Sequence, residues 1–305
     1  MVDVSLDPEA VALRIDADQV QSKRTWKKLL ANRSVMIGGT IFVILLMYAV
    51  FGPVAAGGQT VITRLDPSQA FSQPGFWMSA TKSHAFGTDH LGRDLFGLAA
   101  LGLRTSILIG VGVVILSGLL GWLIGAISGY VGGWLDDALG RVMDIFNAFP
   151  GILVALAIVT ALGPSVRTMV VVLVLTTWVL YARITRAQVL LLRGSAFVEA
   201  AKISGTRFPK ILTTHLGLST WPMLLSLAII ELPHVILVEA TLSFLGFGIQ
   251  PPNTSLGFII SDERDYITIA PWPITFTGLL LALLCVSFAM IGIGVRRVLD
   301  PSESS

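Results

Sequence analysis

Residues 106–130, Ser-Ile-Leu-Ile-Gly-Val-Gly-Val-Val-Ile-Leu-Ser-Gly-Leu-Leu-Gly-Trp-Leu-Ile-Gly-Ala-Ile-Ser-Gly-Tyr, contain no charged side chain. About 20 mostly apolar residues in helical form cross the roughly 30 Å hydrocarbon layer of a bilayer, so this run predicts a transmembrane helix. Within it Ser117, Gly121, Gly125 and Gly129 recur every four residues and share one helix face. In lipid, where no hydrophobic force draws helices together, such a stripe lets another backbone approach closely. The segment is therefore expected to sit inside a helix bundle.

The rest of the chain reads the same way. Of 305 residues, 54% are hydrophobic and only 13% charged, with a mean hydropathy of +0.79. A soluble domain would carry charge at about 25% of positions. Six spans are predicted: Val35–Val54, Ser106–Tyr130, Val142–Leu162, Met169–Ala182, Thr220–Leu245 and Trp272–Val295. The expected fold is all-α and polytopic. The first span follows 34 residues that lack a small-residue cleavage pattern, so it is read as a retained anchor and not a signal peptide. A formal net charge of +2 gives no reason to expect a nucleic-acid partner. The single cysteine, Cys285, excludes an internal disulfide and lies in an apolar run, where packing explains it.

Lysine and arginine placement predicts orientation. With the N-terminus in the cytoplasm, fifteen of the 21 basic residues fall on that side, among them Arg183, Arg186, Arg193, Lys202, Arg207 and Lys210. Both termini are then cytoplasmic. The domain reading is a cytoplasmic tail and pre-helix over 1–34, a membrane domain over 35–295 and a short cytoplasmic tail over 296–305. Outer loops span 55–103 and 246–271, and a cytoplasmic segment spans 183–219.

That cytoplasmic segment contains Phe197-Val-Glu-Ala-Ala-Lys-Ile-Ser-Gly205. Ala196 to Ile203 favours a helix of about two turns, stopped by Ser204 and Gly205, and Pro209 opens a second short helix running to His215. Helices this short need packing to persist. Ala200 and Ala201 offer a smooth face for a groove, Glu199 a charge, and Gly205 a chain reversal. An amphipathic helix lying on lipid fits the pattern equally well.

The order Phe197, Glu199, Ala200, Ala201, Gly205 resembles the coupling segment of inner-membrane permease subunits of ABC importers. Gly87-Thr-Asp-His-Leu-Gly-Arg-Asp94, Gly129-Tyr-Val-Gly-Gly-Trp-Leu-Asp136 and Glu239-Ala-Thr-Leu-Ser-Phe-Leu-Gly-Phe-Gly248 narrow the resemblance to the C-type subunit of the peptide and nickel branch. Pro251-Pro252, Pro271-Trp272 and Leu299-Asp300-Pro301 keep that branch's order. Gly217-Leu218-Ser219, Leu256 and Thr277 depart from it. The resemblance implies a type I importer permease fold with cytoplasmic coupling helices, in the bacterial plasma (inner) membrane. It further implies a peptide cargo, a homologous second permease chain, two ATP-binding subunits and a periplasmic or lipid-anchored substrate-binding protein. ATP and Mg belong to the partner subunits. This chain has no Gly-x-x-x-x-Gly-Lys-Ser/Thr phosphate loop, nor any hydrolase motif, so it is expected to be no enzyme and to hold no cofactor.

Two further groups of residues draw attention. Glu231, His234 and Glu239 lie within the fifth span, where ionisable groups are costly and face a pathway or a partner. They are expected to line or gate the translocation route, with a kink at Pro233. The rival is a secondary transporter or channel that uses Glu231 and His234 for protons or ions, and nickel or another small solute is the alternative cargo. In the first outer loop, His84, Asp89, His90 and Asp94 are possible metal ligands. Gly87 and Gly92 among them favour a turn-rich structural element instead, so no metal site is expected.

Overall fold

The computed structural model describes Leu29, residues 31–75 and residues 84–299. The expectations for the N-terminal tail before Leu29, and for the C-terminal tail after Leu299, lie outside these. Nine principal helices account for most of the described chain: α1 Arg33–Ala55, α2 Leu95–Val131, α3 Gly133–Ala148, α4 Gly151–Leu162, α5 Val166–Leu192, α6 Ala196–Ile203, α7 Leu218–Phe244, α8 Leu256–Glu263 and α9 Trp272–Leu299. Five of them are long and apolar enough to span a bilayer, and α3 with α4 makes a sixth span if that bent pair is counted as one. All six predicted apolar segments fall on these helices.

The third segment is not one rod. α3 and α4 meet at 85° because Pro150 disfavours helical backbone at the residue before it, and Phe149 is extended at φ −110°, ψ 142°. Two other spans run longer than predicted. α2 begins at Leu95, where Asp94 accepts a hydrogen bond from the Gly97 amide at 2.9 Å, so the first outer loop closes at Asp94 and not at Leu103. α5 extends from Val166 to Leu192 and carries Arg183 and Arg186 on the helix itself.

α2 and α5 form the centre of the bundle. A Cβ at Gly121 would lie 2.6 Å from the Trp178 carbonyl oxygen, one at Gly129 would lie 2.8 Å from that of Arg186, and one at Gly125 would collide with that of Ala182. The small-residue stripe is thus a backbone-to-backbone seam between these helices. α1 packs on α9, and α7 on α9 and α2. At one end, α8 wedges against α7, α9 and α2. At the opposite end, which carries most of the described arginines and lysines, α6 and the chain that follows it form a small foot.

Candidate functional site

The foot is built from its own sequence. Glu199 sits in the first turn of α6, where the helix dipole favours an acid. The helix ends in a Schellman turn: Gly205 N–H donates to the Lys202 carbonyl and Thr206 N–H to the Ala201 carbonyl, both at 3.0 Å. Gly205 takes φ +74° there, a conformation glycine adopts without steric cost. Val198 and Ala201 are buried in a cluster with Ala126, Val189, Ile211, Leu212 and Leu216. Lys202 lies 5.3 Å from the centre of the Tyr130 ring, which packs on Phe208 with ring centres 4.9 Å apart.

Of the predicted foot residues, Phe197, Glu199, Ala200 and Gly205 are exposed and Ala201 is not. Ala201 shares a helix face with Val198, three residues back, so it anchors the foot to the bundle and does not form part of the outer smooth face. Ile203 is 88% exposed, which adds an apolar group to the outer surface that the motif reading omitted. The second short helix is not separate either. Phe208–Lys210 passes into a π-helical turn, Ile211–Gly217, and then into α7, with Lys210, Ile211, Gly217 and Leu218 all in right-handed helical conformation. From Phe208 onward the foot and α7 are one continuous helical rod, set off from α6 by the turn at Gly205.

Along that rod, Pro222 and Pro233 interrupt neither the helix nor its bounds. Glu231 is the middle residue of α7, and its Oε2 lies 3.4 Å from His234 Nδ1. Both line a cavity of about 530 Å³ whose other walls are Leu173, Thr176, Thr177, Leu180 and Arg183 of α5, together with Asn147, Gly151 and Ile152 at the α3–α4 elbow. Glu239 belongs elsewhere. It is 1% exposed and accepts hydrogen bonds from Ser106 Oγ at 3.1 Å and Ser243 Oγ at 2.8 Å. Ser255, which caps α8 by accepting from the Phe258 amide, lies 3.4 Å from Ser243 Oγ. The carboxylate thus ties α7 to α2 and to the start of α8, and it takes no part in the Glu231 cavity. The reason is physical: a carboxylate with several hydroxyl donors can stay buried without a solvent path.

The four residues considered for a metal make two separate constructions. His84 Nδ1 is 2.9 Å from Asp94 and its Nε2 2.7 Å from Gln69. Asp89 pairs with Arg93 and accepts from the Leu91 and Arg93 amides at 3.0 and 2.7 Å. Arg93 also reaches Asp262 at 2.9 Å, and His90 Nδ1 reaches Glu263 at 2.7 Å while stacking on Tyr266. Asp89, His90 and Glu263 come close enough together to suit a cation, but the Arg93 guanidinium already supplies the positive charge to Asp89. Gly92 takes φ +75°, and any side chain there would strike the Asp66 carbonyl. The element is a polar knot that joins the two loops expected to lie outside, the one that ends at Asp94 and the one that carries α8. Burial pushes the Glu263 carboxyl above its ordinary range, against the opposing pull of His90. Nothing in the sequence marks Glu263 as this partner, because it lies 173 residues from His90.

Comparison with known proteins places this geometry. Residues 121–303 match the model of the binding-protein-dependent transport system inner membrane component, and residues 21–73 match the N-terminal TM domain of oligopeptide transport permease C. A dipeptide transport system permease protein of Alkalihalophilus pseudofirmus is 33% identical, with 93% of this chain and 90% of that one covered. A putative peptide transport system permease protein of Brucella abortus is 37% identical over 91% of this chain and 90% of its own. A nickel transport system permease protein of Escherichia coli is 35% identical over 77% of this chain and 85% of its own. Permeases of this family have no ATPase domain and bind no cofactor themselves; they work with a separate ATPase and a binding protein. The chain is a multi-pass membrane protein that belongs to the binding-protein-dependent ABC importer permeases, in the C-subunit branch shared by peptide and nickel systems.

Proposed function

We propose that this chain is one half of the membrane channel of an ATP-driven peptide importer, paired with a homologous second permease and driven by two ATP-binding subunits. The foot faces the cytoplasm, as do both termini. The knot of outer loops receives a periplasmic or lipid-anchored binding protein. Phe197, Glu199, Ala200 and Gly205 form the surface that the ATPase grips, with Ala201 fixing that surface to the bundle. Peptide is favoured as cargo because the matched relatives include dipeptide and peptide permeases.

The observation that carries this reading is the unbroken rod. A displacement of α6 reaches the rod through the Gly205 turn and through the packing of Val198 and Ala201 with Ile211, Leu212 and Leu216, and from Phe208 the helix runs on to Glu231. A subunit without a nucleotide site acquires direction only if another site binds its two conformations unequally, and the foot is where such a bias enters. Glu231 and His234 then line the route that opens and closes.

Gly205→Val tests the coupling role. Nothing lies within 4 Å of a Cβ at Gly205, but φ +74° is strained for a branched residue, at a cost of about 1–3 kcal/mol confined to the foot. In proteoliposomes containing the assembled transporter, uptake and binding-protein-stimulated ATP hydrolysis are expected to fall together while the chain remains inserted. Wild-type uptake in this variant would refute the coupling role.

A further inference from the structure

We infer that the cavity at the middle of α7 is a recognition site for a cationic group on the cargo, with Glu231 as its counter-charge; this rests on the importer reading above. Glu231 is the central residue of a 27-residue span, and its side chain is 17% exposed, open to a space of about 530 Å³. Its neighbour His234 is 69% exposed at the side chain, so the pair is not sealed by packing. This is the opposite of Glu239, which is closed in by hydroxyl donors.

The cavity's other charged wall residue is already matched. Arg183 pairs with Asp144 at 2.8 Å, and the Thr176 hydroxyl donates to the Val172 and Leu173 carbonyls. What the cavity offers an incoming solute is therefore a carboxylate beside an imidazole, with the polar side chains of Asn147 and Thr177 in the same wall. The α3–α4 elbow adds Gly151 and Ile152 of the first turn of α4 to the wall, and the first amides of a helix have no acceptor within it. A cation at Glu231 and an anionic or carbonyl group at the elbow suit a small zwitterion. The volume is that of a small-molecule site. A bare metal ion would find only two side-chain donor groups in the Glu231–His234 pair, fewer than a closed metal site uses.

The test uses the complete transporter in proteoliposomes, with its binding protein present at saturation so that delivery does not limit the rate. Glu231→Gln is expected to lower ATP-driven alanyl-alanine uptake about tenfold, the loss of one charge-assisted contact, with the subunits still co-purifying. Uptake within twofold of wild type would overturn the inference and leave the importer reading intact. No ATP-driven uptake of any solute by the wild type would refute that reading and this one with it. A parallel arm with Ni²⁺ separates the two sources of positive charge: loss of Ni²⁺ uptake in Glu231→Gln with alanyl-alanine uptake unchanged would overturn the inference in favour of a metal cargo. Should Glu231→Gln fail to assemble, Glu231→Cys in a Cys285→Ser background supplies a second readout. Modification with an anionic sulfonatoethyl thiosulfonate should restore uptake and a cationic trimethylammonium reagent should not; equal effects of both would overturn the proposal.

Discussion

Glu231 and Glu239 lie on the same helix, eight residues apart, and differ in everything but their chemistry. Glu239 is enclosed by Ser106 and Ser243 and holds three elements together. Glu231 faces a cavity, with one histidine beside it. An acid inside a membrane span is costly in either place. The comparison teaches that the cost is met in two ways, by internal donors where the acid is architectural and by an accessible space at Glu231, where we propose that it meets a passing solute.

Removing Glu239 should have the largest effect on stability. Glu239→Ala strands two buried hydroxyls and opens a gap, and should cost about 3 kcal/mol, read as a lowered Tm of the purified complex. Glu239→Gln, which keeps an acceptor, should recover part of it. A negligible change in Glu239→Ala would erase the distinction between the two acids.

The outer knot sharpens the comparison under a change of pH. Glu263 is held above the ordinary glutamate range by burial, and its Oε2 has no partner among the described residues. A carboxyl raised in the fold adds stability that is complete below its ordinary range and is lost as pH rises through the raised value. Stability of the outer end should thus decline over that interval, and Glu263→Gln should flatten the slope. Tm measured against pH in both proteins is the check. An unchanged slope would mean that the pocket relaxes around the ionised acid.

The smallest stability effect is expected at Glu231. Glu231→Gln should shift folding by about 0.5 kcal/mol, the scale of one weak ion pair, since it loses only the charge opposite His234, even though uptake falls. A large loss of Tm there would make Glu231 a second architectural acid.

The spans were legible because a bilayer imposes a length and a hydropathy that packing cannot disguise. Their ends were less so. Arg183 and Arg186 ended the predicted fourth span, yet α5 continues through both because Asp144 and Asp136 receive their charges. The break at Phe149-Pro150 was written in the sequence as a proline inside an apolar run, and hydropathy averaging concealed it. The foot's turn could be read from Gly205, a local signal. That Ala201 faces inward could not, since helix phase is set by the cluster around Val198. The partners of Glu239 are Ser106, 133 residues away, and Ser243, and only folding brings the first of them to it.

The 85° elbow between α3 and α4 has a consequence for where lipid can meet the chain. With 12 residues, α4 measures about 18 Å at 1.5 Å per residue, too short to reach both surfaces of a bilayer by itself. Asn147, Ala148, Phe149, Pro150 and Gly151 are all exposed at the bend, and peptide groups without helical partners cannot be left against acyl chains. The bend is therefore tolerable at membrane depth only where something other than lipid meets it, and Asn147 and Gly151 border the cavity that also holds Glu231.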